Sequence, residues 1–110
     1  MSNLYTSYPI PASLNSAARA YLRSLAADMS PVTQIGKGGL TENLIATVSD
    51  ALEARELIKL SVLETADCTA RDAAELRAVV VAVIGRKIIL FRRPLNPKNR
   101  RIELPGRGTV

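Results

Sequence analysis

The run "AVVVAVIGRKIILFRR", residues 78 to 93, holds two β-rich stretches separated only by Gly85-Arg86. That pattern is a strong signal for a β-hairpin, because a two-residue turn with glycine matches the twist of the flanking strands. An isolated hairpin is marginal in water, so the rest of the chain must supply further strands and a cover for them. "LIKLSVL", Leu57 to Leu63, alternates in the manner of a strand. It sets Lys59 and Ser61 on one face and Ile58, Leu60 and Val62 on the other. "PVTQI" supplies a shorter strand, Val32 to Ile35.

Helical spacing fills the intervals. Leu14, Ala17, Ala18, Tyr21, Leu22 and Leu25 recur at three and four residues, with Ser13 as the expected N-cap and Pro31 as a late stop. A second helix is expected from Glu42 to about Ala54. Thr41 is its N-cap, Ile45, Val48 and Leu52 share one face, and Leu40 is spaced to staple onto Ile45. "TARDAAELR", Thr69 to Arg77, gives a short third helix capped by Thr69. The order is α-β-α-β-α-β-β, which favours an α/β fold with helices over a mixed sheet.

A chain of 110 residues suits one domain. Residues 1 to 12 read as a flexible lead. Residues 94 to 110, rich in proline, glycine and arginine, read as a basic, partly mobile tail in which Arg101 to Leu104 could form an edge strand. The single cysteine, Cys68, excludes an internal disulfide framework and a cysteine-rich zinc site. The sequence contains no histidine, which removes the commonest general base and metal ligand, so catalysis, a metal or another cofactor is not expected. No apolar run approaches membrane-spanning length and no signal peptide is recognisable, so the expected protein is soluble, cytoplasmic and free of membrane contact.

The net charge of +5 is unevenly spread. Residues 1 to 85 carry seven Lys/Arg against nine Asp/Glu, and residues 86 to 110 carry eight against one. A segment that positive attracts a polyanion, and nucleic acid is the commonest one in a cell.

"QIGKGGLTENL", residues 34 to 44, joins the first strand to the second helix through Gly36, Lys37, Gly38 and Gly39. A helix N-terminus presents unpaired N–H groups, glycines let a phosphate approach them, and Lys37 adds a full charge. The spacing is neither a P-loop nor a dinucleotide fingerprint; it matches the G-x-x-G form with which KH modules clamp a nucleic-acid backbone, a form that an ordinary strand-to-helix turn also produces. Glu42 would repel a phosphate on the helix axis, which favours contact at the Lys37-Gly38 tip. With only Tyr5, Tyr8, Tyr21 and Phe91 as aromatics, and the last two in patterned elements, an aromatic stacking platform is not expected.

Five segments, "LNSAARAYLRSLA", "PVTQIGKGGLTENL", "ALEARELIKLSV", "VIGRKIILFRR" and "RRIELP", occur in the order and spacing of the YhbY-like CRM domain, the chloroplast RNA splicing and ribosome maturation module, which the chain therefore resembles. The resemblance covers about residues 13 to 105. It implies an α/β two-layer sandwich with a four-stranded mixed sheet and a KH-like G-x-x-G loop, similar to the C-terminal domain of translation initiation factor three. It also implies a non-catalytic RNA-binding protein associated with precursors of the large ribosomal subunit. The chain departs from the family pattern in lacking a histidine at the end of the first helix, near Asp28, and a threonine-glycine turn at Leu76-Arg77-Ala78.

The RNA contacts expected are Gly36, Lys37, Gly38 and Gly39 in the loop, Arg19 and Arg23 on the first helix, and Lys59, Arg86, Lys87, Arg92 and Arg93 on strand and hairpin. Arg100 and Arg101 in the tail complete the set. The expected protein is a monomer. A protein-interaction module of the translation machinery, docked near RNA by its basic tail, is the alternative from a different class, and a small phosphorylated metabolite in the loop is a weaker one.

Overall fold

The computed structural model describes residues 14–36, 39–63 and 70–105. Among the described residues seven helices and strands follow one another as α1 (Ser16–Ala26), β1 (Thr33–Ile35), α2 (Glu42–Arg55), β2 (Leu57–Val62), α3 (Ala70–Glu75), β3 (Val79–Ile84) and β4 (Lys87–Phe91). A 3-10 turn at Pro97–Asn99 comes last. The strands form one mixed sheet in the order β1-β2-β4-β3. β1 runs parallel to β2, while β2 and β3 each run antiparallel to β4. The parallel pair needs a crossover, which α2 supplies; the hairpin needs only Gly85-Arg86, with Gly85 taking the positive φ of 58° that the turn requires.

Helices cover both faces of this sheet, so the arrangement has three layers rather than the expected two. On one face Ile35, Ile58, Leu60, Val62, Ile88 and Leu90 pack with Val48 and Leu52 of α2 and Ala73 and Leu76 beside α3. On the other, Leu57, Val81, Ile89 and Phe91 pack with Leu14, Ala18, Leu22 and Ala26 along α1. Alternation along β2 and β4 gives each strand apolar residues on both sides, and a second apolar face demands its own cover. Fully burying a side chain of this size contributes about 1.5–3 kcal/mol, so neither layer is dispensable.

The helix α1 buries a narrow stripe at four-residue spacing, whereas Ala17 is exposed and Tyr21 and Leu25 are each 38% exposed. Its N-cap is Asn15, whose Oδ1 accepts from the Ala18 N–H at 2.7 Å; Ser13 lies outside the described residues. In α2 the expected cap is present, Thr41 Oγ1 accepting from the Leu44 N–H, and Leu40 and Ile45 pack against the same core. Thr69 and Cys68 lie outside the described residues.

Among the described residues two that are not glycine have positive φ, Glu56 at 66° and Arg77 at 56°. Both end helices that run into strands with no glycine between, so an ordinary residue takes the conformation, at about 1–2 kcal/mol. Leu76-Arg77-Ala78 is thus a tight turn, closed by the Ala78 N–H donating to Ala73 O. In β3 a bulge between Val80 and Ala82 sets Val81 and Ala82 on the same side, against α1.

Candidate nucleic-acid interface

Strand directions divide the basic residues between two ends of the sheet. At one end β1 and β2 finish and the β3–β4 hairpin turns. Ile35 is paired with Val62, the Leu63 N–H donates to Ile35 O at 3.0 Å, and the Val62 N–H donates to Arg86 O at 2.9 Å. Gly36 therefore leaves the sheet two strands from Arg86 and Lys87, about 10 Å at the usual interstrand spacing. We call this the loop end.

The Gly39 N–H donates to Gly36 O at 3.2 Å, which draws the flanks of the loop together, and Gly39 has φ 83°, a conformation suited to glycine. Gly36 is exposed, and a Cβ built on it would meet nothing within 4 Å. Internal packing therefore does not demand glycine at Gly36. Lys37 and Gly38 lie outside the described residues. Beyond Gly39, Leu40 is tucked toward the core and Thr41 starts α2, with the exposed Glu42 in its first turn.

Arg86 is exposed at the hairpin, and Lys87 donates from Nζ to Ser61 Oγ at 3.1 Å. Lys59 lies on the same face of β2 as Ser61 and donates to Ala27 O at the end of α1. On α1, Arg23 is exposed, while Arg19 donates from Nη1 to Val80 O and Val81 O at 2.9 and 2.7 Å. Arg19 and Arg23 do not behave as an equivalent pair: Arg19 is tied to the bulged strand.

Arg92 and Arg93 stand at the opposite end, which we call the tail end. Arg92 is not a surface contact: it is 2% exposed and donates to Leu76 O, Ser49 O and Ser49 Oγ. A guanidinium committed to two main-chain carbonyls inside the core is not presented to an external phosphate. Arg93 donates to Glu56 Oε2 at 2.6 Å and to Ile102 O at 2.5 Å, with its guanidinium carbon 5.3 Å from the Phe91 ring centroid. Arg100 donates from Nε to Pro94 O at 2.6 Å, and Arg101 is exposed. Neither end of β4 can reach the other, so strand and hairpin do not gather all five basic residues as expected.

Glu56 organises the tail end, and the sequence reading missed it. Fully buried, it accepts from the backbone N–H groups of Arg101 and Ile102 as well as from Arg93. Its own backbone N–H caps α2 at Leu52 O, and its carbonyl accepts from the Arg92 N–H. Instead of pairing as an edge strand, residues 101 to 104 hang on this carboxylate, with Ile102 and Leu104 against the α1-side core. Glu53 adds an acceptor for the Leu95 N–H at 2.7 Å. The signal available in sequence was the missing glycine after Arg55.

Among the described residues there is no grouping of three or more acidic, cysteine or histidine side chains suited to a metal, and no helix is long and apolar enough to cross a membrane. The arrangement presents basic side chains beside a glycine-rich turn.

Comparison with known proteins agrees with this architecture. The chain is 40% identical over 97 residues to the Bacillus subtilis protein named "Probable RNA-binding protein YqeI", covering 84% of this chain and 99% of that one. It is 32% identical over 97 residues to a Haemophilus influenzae protein named "RNA-binding protein", covering 84% and 95%. The solution structure of the hypothetical protein SAV1595 from Staphylococcus aureus superposes with a TM-score of 0.67 at 42% identity, covering 84% of this chain and all of that one. The model of the CRS1 / YhbY (CRM) domain matches residues 14–92, from just before α1 to just past β4, and the chain belongs to that family.

Proposed function

We propose that this protein binds RNA without catalysing a reaction on it, holding backbone phosphates at the loop end in a KH-like manner. The observation that carries the reading is the placement of Gly36 and Gly39, the start of α2, and Arg86 and Lys87 at one end of one sheet. Phosphate oxygens approach glycine backbone closely, and nearby cations strengthen each hydrogen bond in a partly dehydrated site. Relatives named as RNA-binding proteins support the reading. Large ribosomal subunit precursors are the RNA we infer, in the cytoplasm and with the protein as a monomer.

Replacing Lys37 and Gly38 together by aspartate tests it. RNA affinity measured by fluorescence anisotropy should fall at least tenfold, about 1.4 kcal/mol, with little change in thermal stability. Titration with salt distinguishes direct phosphate contact from docking through a protein surface, because only the first gives a steep dependence of log K on log salt. A folded double variant with wild-type affinity would retire the clamp, and a flat salt dependence in the wild type would favour the protein-interaction reading.

A further inference from the structure

The register aligns four side chains in one row across the sheet at the loop end: Gln34 opposite Ser61, Ser61 opposite Lys87, and Lys87 opposite Ile84. All four face the α1 side, as the Lys87 to Ser61 hydrogen bond and the opposite burial of Ile35 and Ile88 require. The helix α1 stacks over Leu57, Ile89, Phe91 and Val81, toward the tail end, and leaves this row largely uncovered. Gln34 is exposed, Ile84 is 52% exposed, and Ser61 and Lys87 are half-buried. The row spans three interstrand spacings, about 14 Å.

We infer that this row is a base-reading surface for single-stranded RNA, continuous with the phosphate-holding loop. The inference rests on the RNA-binding reading and deepens it. A strand whose phosphates lie at Gly36, Gly39 and Arg86 would direct its unpaired bases over the neighbouring sheet face. Other four-stranded sheets carry two or three bases in this way. Here no aromatic takes part. Ile84 offers an aliphatic platform, Gln34 a donor and an acceptor on one amide, and Ser61 a hydroxyl whose oxygen already accepts from Lys87, so its proton is turned to an incoming acceptor. Charge complementarity favours nucleic acid as the occupant: none of the four strands contains an acidic residue, and Lys59 and Arg86 flank the row. A duplex buries its base faces and Watson–Crick edges and would gain little from these groups.

The experiment compares short single-stranded homopolymers of A, C and U with a duplex of the same length, using the full chain. The wild type should rank the single strands over about a fivefold range of Kd, the scale of one base-edge hydrogen bond, and bind the duplex more weakly. Gln34→Ala/Ile84→Ser should compress that range to about twofold while the salt slope stays unchanged, since every phosphate contact is retained. Backbone amide shifts at Gln34, Ser61 and Ile84 on titration of the wild type provide a second readout that does not depend on a folded variant. A folded variant that keeps the wild-type ranking, unmoved amides at these positions, or duplex binding as tight as single-strand binding would overturn the inference while leaving the loop clamp intact. Absence of any RNA binding by the wild type would overturn both.

Discussion

The two ends of the sheet use the same residue types for opposite purposes. At the tail end two arginines are taken up by the fold, Arg92 buried against Ser49 and Leu76 and Arg93 held by Glu56 and Ile102. At the loop end, Arg86 is exposed and Lys87 donates to a serine hydroxyl rather than to a carboxylate. Acidic partners account for much of the difference. Glu53 and Glu56 supply carboxylates where α2 meets β2, whereas the hairpin and the strands near it carry none. A count of basic residues along the sequence therefore overstates the surface open to a polyanion; each cation must first be set against the carboxylates and carbonyls that already hold it.

The largest effect should come from Arg92→Ala. Removing a buried guanidinium leaves its acceptors unpaired and opens a cavity, so chemical denaturation should show a loss of about 3–5 kcal/mol. A loss below about 1 kcal/mol would mean that Arg92 is not the core anchor described above. Next is Glu56→Ala, expected to cost about 2–4 kcal/mol because Arg93 and two backbone N–H groups are deprived of their acceptor together. A double-mutant cycle with Arg93→Ala should show coupling of about 1–3 kcal/mol, and independence of the two would separate tail docking from the ion pair.

Arg86→Ala/Lys87→Ala probes the open end and should reverse the pattern. Stability should change by less than about 0.5 kcal/mol, while the log K against log salt slope flattens by about 0.7 for each phosphate of single-stranded RNA that is no longer neutralised. An unchanged slope would remove the hairpin from the interface. The smallest effect is expected from truncation after Pro105, which deletes Arg107 but spares the Glu56 hydrogen bonds and Ile102 and Leu104. Melting temperature should hold and affinity should fall by at most the share of one phosphate. Truncation after Leu95 is a different experiment, since it strips Ile102 and Leu104 from the core and should lower the melting temperature first.

Local signals were legible where chemistry within a few residues decides the outcome. The hairpin at Gly85-Arg86, the Thr41 cap and the alternation of Leu57 to Val62 all follow from neighbours in sequence. Layering was not legible in the same way, because α1 could cover either face until the positions of Leu57, Ile89 and Phe91 created a second apolar surface. The roles of Arg92 and Arg93 escaped for a related reason. Their partners, Ser49 and Glu56, lie 43 and 37 residues away, and nothing in the local pattern distinguishes an arginine that finds such a partner from one that does not. Gln34 was equally silent: its interest arises from the register that sets it in line with Ser61, Lys87 and Ile84.

The hold of Arg19 on the bulged strand bears on whether another strand can add to that side of the sheet. β3 is an edge of the sheet, and an edge with idle carbonyls invites another chain to add a strand. The bulge at Val81 breaks the flat ladder such an intruder would need, and the Arg19 guanidinium occupies Val80 O and Val81 O just there. One side chain thus ties α1 to the sheet and blunts the segment "VVVAVI", whose run of β-branched residues would otherwise offer a ready strand-pairing surface in a crowded solution.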